Sequence, residues 1–304
     1  MNQSITLTDE GQTPEMAHPC ALTFNSNDPS GAGGLTADIL AMSSVGVHVL
    51  AIATGTYLKD SAETFDHVPL DEDTVDDQAR QVLEDISVQV IKVGFCGSPE
   101  TLSAIAELCT DYPDVPVVAY MPSLSWWQDD PIEGYLDAFM NLLLPQTTLL
   151  VGNHATLWRW LLPEWGSERT PSARDLAKAA AEKGVPYTLV TGLPQGNQHI
   201  ENALATPLSV VVSETIERFD AVFTGAGDTL SATVAGLLAM GDDLESAVAE
   251  AFTYLDGTLD AGFRPGMGHA LPDRLFWAQT PDEDDHDSES PSHEEFLPGH
   301  NTRH

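Results

Sequence analysis

Basic residues are scarce in this 304-residue chain. Lysine and arginine together number 12, against 47 aspartates and glutamates, which gives a formal net charge of −35. Binding to phosphate backbones or to anionic lipid surfaces needs clustered Lys and Arg. The charge balance therefore argues against nucleic acid and membranes as partners. Such acidity suits either a protein kept soluble in concentrated salt or an ordinary acidic enzyme, and it carries no information about chemistry.

Cysteine and long apolar runs are also in short supply. The three cysteines, Cys20, Cys96 and Cys109, form no CxxC pair, which argues against a disulfide framework and a zinc ribbon. No apolar run approaches the roughly 18 residues of a membrane span. The segment Met1–Glu10 lacks the basic start and the apolar stretch of a secretory signal. We therefore expect a globular, cytoplasmic protein.

Composition divides the chain into three parts. Residues 1–18 are polar and are predicted to form a flexible arm, and residues 19–279 are predicted to form one domain. Residues 280–304 are acidic and rich in Ser, Pro and His. A segment of this kind buries too little apolar surface to offset its chain entropy. The sequence therefore predicts a disordered acidic tail whose histidines are solvated.

Short apolar runs alternate with amphipathic stretches throughout the predicted domain. Seven strands are predicted, at Cys20–Asn25, His48–Thr54, Val88–Val93, Val115–Tyr120, Thr148–Gly152, Tyr187–Thr191 and Leu208–Val212. Seven helices are predicted, at Leu35–Ser44, Asp73–Asp85, Pro99–Asp111, Ile132–Leu143, Ala173–Lys183, Asp228–Ala239 and Leu244–Ala261. Strands rich in Val, Ile and Leu that alternate with helices are typical of parallel βαβ units. The sequence therefore predicts an α/β fold with a doubly wound sheet.

A glycine-rich loop over residues 25–35 follows the first predicted strand and leads into a helix. Glycines let the backbone approach a ligand closely, and the helix that follows presents free N–H groups. The loop lacks the spacing of a dinucleotide-binding fingerprint. A ligand-binding loop and a tight strand-to-helix turn both explain this segment.

A second glycine loop, Gly225-Ala226-Gly227-Asp228, leads into the apolar helix pattern of residues 229–240. Small residues at a helix N-terminus leave backbone N–H groups uncovered, which favours binding of an anion. A carboxylate at Asp228 could accept the proton of a substrate hydroxyl that attacks phosphorus. A simple N-cap role for Asp228 is the alternative, but a cap does not require the Gly-Ala-Gly approach.

Together the two loops resemble the hydroxymethylpyrimidine/phosphomethylpyrimidine kinases, a branch of the ribokinase-like superfamily. Residues 225–229 resemble the anion-hole motif of the superfamily, and residues 27–38 resemble the N-terminal segment of the branch. Weaker matches lie at Lys92-Val93-Gly94, Thr191-Gly192 and residues 262–268. The resemblance spans roughly residues 20–278 and implies a three-layer α/β/α fold with a mostly parallel central sheet.

The resemblance also implies a function and a set of site residues. The implied reaction is ATP-dependent phosphorylation of 4-amino-5-hydroxymethyl-2-methylpyrimidine or its monophosphate, with Mg²⁺, in thiamine biosynthesis. The catalytic group is expected to comprise Asp228 as base and the backbone of Gly225, Ala226 and Gly227. Substrate binding is expected at Asn27, Asp28, Gly33 and Lys59. Nucleotide binding is expected at Asn153, Thr191, Gly192 and Arg264. No metal-ligating side chain is assigned.

Several positions depart from the family pattern. The family usually has Cys at the place of Asp228 and a pyrimidine-reading Gln at the place of Lys59. Its Asp-Pro pair is Met121-Pro122 here, and its Asn-x-x-Glu motif ends in Thr156. The loss of two carboxylates removes two sources of metal attraction, and phosphoryl transfer depends on that metal. We therefore also consider a catalytically weakened relative that regulates a partner, and a kinase for another small alcohol such as pyridoxal.

A few residues remain open between roles. Lys59 could bind substrate or form a surface pair with Asp60, and Lys92 is predicted to lie at an exposed strand end. Arg264 could contact phosphate or have a structural role. The two tryptophan pairs, Trp126-Trp127 and Trp158-x-Trp160, are predicted to pack, because they lack basic neighbours. The oligomeric state is open, and a homodimer is compatible with the sequence.

Overall fold

The computed structural model describes residues 18–127, 129–196, 198–218 and 221–278. Within these ranges one sheet of nine strands runs in the order β3-β2-β1-β4-β5-β6-β7-β8-β9. The strands are β1 Cys20–Asn27, β2 His48–Lys59, β3 Thr64–Pro69, β4 Val90–Val93, β5 Val117–Met121, β6 Leu149–Asn153, β7 Tyr187–Pro194, β8 His199–Ala205 and β9 Val210–Glu217. The predicted tail and nearly all of the predicted arm lie outside the described residues.

The sheet is mostly parallel. Strands β2, β1, β4, β5, β6 and β7 are parallel neighbours, while β3, β8 and β9 pair antiparallel at the two edges. All seven predicted strands are present, although the last begins at Val210 rather than Leu208. The strands absent from the prediction, β3 and β8, carry polar and charged residues on their exposed faces, so they lack the continuous apolar run of a buried parallel strand.

Eight α-helices cover the two faces of the sheet in the described part of the chain. They are α1 Gly34–Ser44, α2 Glu72–Leu83, α3 Pro99–Asp111, α4 Asp129–Ala138, α5 His154–Leu161, α6 Ala173–Ala181, α7 Ala226–Met240 and α8 Leu244–Asp260. Helices α1, α7 and α8 pack on one face, and α2 to α6 pack on the other. This arrangement confirms the predicted three-layer α/β/α fold.

Two helix predictions need correction. Helix α5 is absent from the prediction; it is only eight residues long and begins after Asn153, whose side chain accepts a hydrogen bond from Ala155 N. The single helix predicted over Ile132–Leu143 consists of α4 and a π-helical segment at Phe139–Leu143. A π-helical segment leaves the hydrophobic spacing close to helical, so the pattern alone does not reveal it.

Helix α7, which begins at the late glycine loop (residues 225–228), is mostly buried. Ten of its residues are buried, because it lies between the sheet, α1 and α8. The free cysteines Cys20, Cys96 and Cys109 are buried. No helix within the described ranges is long and apolar enough to cross a membrane.

Parallel strands place their carboxyl ends at one edge of the sheet, where ligands of open α/β folds bind. The early glycine loop leaves β1 at this edge, and the late glycine loop begins α7 beside it. Residues from distant parts of the sequence therefore meet there.

Candidate active site

The early glycine loop is organised by the buried carboxylate of Asp28. Its Oδ1 accepts hydrogen bonds from the backbone N and Oγ of Ser30 at 2.9 and 2.6 Å. Its Oδ2 accepts from Gly33 N at 2.8 Å and from Lys59 Nζ at 2.9 Å. Burial acts to raise the pKa of Asp28, but the hydrogen bonds from Ser30 and Lys59 and the charge of Lys59 outweigh it and lower the pKa. Asp28 is thus an ionised anchor of the loop, and Lys59 pairs with it rather than with Asp60.

The late glycine loop approaches the early one as closely as glycine allows. Gly225 has a φ of +89° and precedes α7 as its N-cap. A Cβ on Gly225 would overlap the carbonyl oxygen of Ala32, and a Cβ on Gly227 would lie 2.2 Å from Tyr120 Oη. Side chains are therefore excluded at both positions by contact with the early loop and with β5.

Asp228 lies in the first turn of α7 and faces the early loop. A Cβ on Gly33 would lie 2.9 Å from Asp228 Oδ2 and 3.5 Å from Asp28 Oδ2. The side chain of Asp228 keeps 17% of its surface exposed. The structure therefore brings Asp28, Gly33, Lys59, Asp228 and the Gly225–Gly227 backbone together at the carboxyl edge of the sheet.

A buried ion pair lies beneath Asp228, and sequence reasoning missed it. Lys92 Nζ is 2.6 Å from Asp38 Oδ1 and 4.0 Å from Asp228 Oδ1, and the side chains of Lys92 and Asp38 have no exposed surface. The prediction of an exposed Lys92 is wrong, because Asp38 of α1 reaches under the sheet edge and neutralises the ammonium. Asn25 Nδ2 donates to Asp38 Oδ2 at 3.0 Å and to Asp228 Oδ1 at 3.1 Å.

Burial is the largest influence on the Asp228 carboxyl, and its pKa is raised. The charge of Lys92 opposes this rise, the negative charge of Asp38 adds to it, and the hydrogen bond from Asn25 opposes it. The pKa of Asp228 therefore lies closer to neutral pH than the pKa of an exposed aspartate, which suits a general base.

Arg274 joins the two glycine loops and was also missed. Its guanidinium donates to Gly31 O at 3.2 Å, to Ala32 O, and from Nε to Thr229 Oγ1 at 2.9 Å. Thr229 Oγ1 in turn donates to Gly225 O at 2.8 Å. A buried arginine that saturates backbone carbonyls of both loops fixes their separation. No local sequence signal distinguishes it from the other seven arginines.

The residues predicted to bind nucleotide divide into two groups. Asn153, the last residue of β6, pairs with Thr191 of β7. Gly192 has a φ of +68°, and a Cβ there would lie 2.7 Å from Asn153 Nδ2. These three residues therefore lie together, while Arg264 is exposed in the loop after α8. Asn27, predicted to bind substrate, is also exposed, and its Nδ2 donates to Thr56 Oγ1 at 3.3 Å.

An aromatic cluster adjoins the end of β2. Tyr57 stacks on Phe95 at 5.5 Å between ring centroids and meets Trp126 edge-on at 5.8 Å. Trp126 stacks on Trp127, and both pack against the core, as predicted for this pair. Burial, and next the negative charge of Asp228, raise the pKa of Tyr57.

Comparison with known proteins shows the family of the chain. The sequence profile described as phosphomethylpyrimidine kinase matches residues 28–273. The chain belongs to the phosphomethylpyrimidine kinase family. The matched residues include Gly33, Lys92 and the Gly225–Asp228 loop. The resemblance drawn from the two glycine loops is confirmed.

Relatives and solved structures of this kinase family and its neighbours extend over most of the chain. The hydroxymethylpyrimidine/phosphomethylpyrimidine kinase of Streptomyces coelicolor is 29% identical over 261 residues, covering 84% of this chain and 94% of that protein. An ADP complex of Bacillus subtilis pyridoxal kinase matches with a TM-score of 0.76 at 20% identity, covering 87% and 100% of the two chains. Phosphomethylpyrimidine kinase from Clostridium difficile matches with a TM-score of 0.64 at 20% identity, covering 79% and 99%. These structures establish the ribokinase-like fold.

Membership in the phosphomethylpyrimidine kinase family makes the chain a small-molecule kinase that uses ATP, as predicted. Gly225, as the N-cap, and Ala226 and Gly227, as the first residues of α7, place backbone N–H groups at the start of a helix, where an anion is favoured. Side-chain ligands for Mg²⁺ are scarce. Among the described residues no three His, Cys, Asp or Glu side chains cluster as a metal site. Met121 is buried at the end of β5 and offers no oxygen ligand there.

Proposed function

We propose that this kinase transfers the γ-phosphoryl group of ATP to the hydroxymethyl group of 4-amino-5-hydroxymethyl-2-methylpyrimidine or of its monophosphate, in thiamine biosynthesis. The observation that carries the proposal is the position of Asp228, at the start of α7 and across from Gly33. The relative from Streptomyces coelicolor is named for this activity.

Asp228, the Gly225–Gly227 backbone and Lys59 each have a role in the proposed reaction. Asp228 takes the proton of the hydroxymethyl group as that oxygen forms a bond to the γ-phosphorus. The bond from the γ-phosphorus to the bridging oxygen breaks, and its electron pair leaves with ADP. The backbone N–H groups of Gly225–Gly227 hold the transferring phosphate. Lys59 is held by Asp28 and offers its remaining ammonium protons to acceptors of the substrate.

Mg²⁺ accompanies the nucleotide in this proposal and neutralises part of the phosphate charge. The described residues supply no carboxylate cluster for it, and Mg²⁺ commonly keeps several water ligands. We therefore expect phosphate oxygens and water to provide most of its ligands. Asn153 and the adjacent Thr191-Gly192 segment lie where the nucleotide is expected to cross the sheet edge.

An ADP-release assay with a panel of alcohols tests the proposal. The panel contains the pyrimidine alcohol, its monophosphate and pyridoxal, each at saturating ATP and Mg²⁺. Removal of a general base lowers the rate by roughly 100- to 10,000-fold, so Asp228→Asn should lose kcat by that factor. Asp243→Asn, at the start of α8, changes an exposed helix-capping carboxylate and should keep wild-type activity.

Other results select the alternatives. Turnover of pyridoxal in preference to both pyrimidines assigns a different alcohol. Binding of a pyrimidine or ATP in calorimetry without turnover assigns a regulator, the alternative favoured by Met121 and Thr156 at the places of the two missing carboxylates. Equal activity of wild type and Asp228→Asn refutes the base role.

We further propose that two copies of the chain associate in the cytoplasm through the edge of the sheet at β3. Large apolar side chains are exposed there and in the adjoining segments, namely Leu58, Phe65, Val68 and Leu70. Exposed apolar patches commonly mark contacts between proteins. Light scattering at several protein concentrations should give the mass of a dimer, and a Phe65→Glu variant should give that of a monomer. A monomeric wild type refutes this assembly.

A further inference from the structure

Lys92, Asp38, Asp228 and the carboxamide of Asn25 form one connected cluster at the carboxyl edge of the sheet. Lys92 Nζ lies between Asp38 Oδ1, at 2.6 Å, and Asp228 Oδ1, at 4.0 Å. Thr23 Oγ1 donates to Asp38 Oδ2 at 2.7 Å, and Asn25 donates to both carboxylates. Asp38 is thus fully engaged, and its charge is matched by the ammonium.

The orientation of the Asn25 carboxamide is fixed independently of the carboxylates. Its Oδ1 accepts hydrogen bonds from the backbone N of Ser26 at 2.9 Å and of Phe95 at 3.2 Å. Backbone N–H groups can only donate, so the oxygen must face them and the amino group must face Asp38 and Asp228. The amide therefore links the buried ion pair to the carboxylate above it.

The two oxygens of Asp228 have different surroundings. Oδ1 accepts a hydrogen bond from Asn25 Nδ2 and faces Lys92, whereas Oδ2 lies close to Gly33. Within the described residues no donor is hydrogen-bonded to Oδ2. Oδ1 is therefore held by Asn25, and Oδ2 is free to accept a proton from a substrate.

We propose that Lys92 and Asn25 are positioning residues for Asp228, which hold Oδ1 and keep the partly buried carboxylate ionised so that Oδ2 can accept a proton. Asp38 sets how much of the Lys92 charge acts on Asp228. This inference rests on the proposed base role of Asp228. An opposite charge within about 4–6 Å favours the ionised form of a carboxyl group, and a like charge disfavours it. Lys92 and Asp38 therefore act on Asp228 with opposite signs.

Other groups also face Asp228 and must stay unchanged in the test. From the elements packed around it these are Arg274, Tyr57, Tyr120 and Asp28. The substitutions that follow leave all four in place.

Direct titration of the Asp228 carboxyl, without substrate, separates this inference from the activity. Carbon-13 NMR of aspartate-labelled protein identifies the Asp228 signal by its absence in Asp228→Asn. Lys92→Met should raise the pKa of Asp228 by about one to three units, and Asp38→Asn should lower it. Arg80→Met, which removes a cation from an exposed pair with Asp76 and Asp111, should leave it unchanged.

The acidic limb of the kcat/KM profile should move in the same directions as the titration. Damage to packing alone does not raise the pKa of Asp228 in one variant and lower it in the other. Lys92→Met with a wild-type pKa at Asp228 overturns the inference. If Lys92→Met does not fold, Asp38→Asn decides: a lower pKa supports the inference, and an equal or higher one overturns it. Shifts as expected, together with full activity of Asp228→Asn, refute the base role alone and leave the coupling established.

Discussion

Replacement of Arg274 by methionine tests whether one cation holds the two glycine loops together. Arg274 is 3% exposed, and it donates to two carbonyl oxygens of the early loop and to Thr229. A hydrogen bond to a charged group contributes about 1.5–3 kcal/mol, and an acceptor left buried without a donor costs about 1–3 kcal/mol. Because neighbouring bonds are not additive, we expect the free energy of unfolding to fall by roughly 3–5 kcal/mol.

Thermal and urea unfolding measure this loss. For a domain of this size 1 kcal/mol shifts Tm by about 2–4 °C, so Arg274→Met should melt roughly 10 °C below wild type. Arg274→Lys retains the charge without the planar fork and should fall between the two. Arg264→Met alters an exposed arginine and should melt within about 2 °C of wild type. A Tm of Arg274→Met equal to that of Arg264→Met would refute the reasoning.

Two further substitutions test the late glycine loop and a buried histidine of β3. Gly227→Ala should destabilise the folded protein by about 1–3 kcal/mol and raise the KM for ATP, because its Cβ would meet Tyr120 at 2.2 Å. Gly196→Ala, with open space around it, is the control. Equal KM values for the two variants would contradict the steric argument. Burial lowers the pKa of His67 from 6.5 to about 4, so the unfolded chain binds the proton more tightly. The stability due to neutral His67 is therefore complete above pH 6.5 and is lost as pH falls from 6.5 toward 4, by up to about 3 kcal/mol. Urea unfolding at pH 7 and pH 4.5 should show a larger loss for wild type than for His67→Gln, and parallel losses would reject this account.

Local signals were sufficient for much of the fold. Helix α3 has the predicted bounds because Ser98 caps it, Pro99 occupies its first turn, and its apolar residues recur at helical spacing. The two glycine loops were visible for a similar reason, since close backbone approach demands residues without side chains. The antiparallel strand β8 escaped prediction because its sequence, HIENALA, has no continuous apolar run.

The charged part of the site could not be predicted in the same way. Lysine is almost never fully buried unless paired, so Lys92 was expected to be exposed. Its partner, Asp38, is 54 positions earlier, in a helix. Arg274 acts on backbone carbonyls 242 and 243 positions away, and a carbonyl leaves no trace in a sequence. Such contacts become visible only when the fold is known.

The distance along the chain between these contacts has a consequence for biogenesis. Strands β1 to β7 leave the ribosome before any residue of α7, so a nascent chain can assemble the parallel sheet before Asp228 has been synthesised. The contact between Asn25 and Asp228 spans 203 positions, and closing such long loops is slow. We therefore expect ATP turnover to appear last, after translation has passed Arg274, so that ribosome-stalled chains ending earlier contain a sheet without a working kinase.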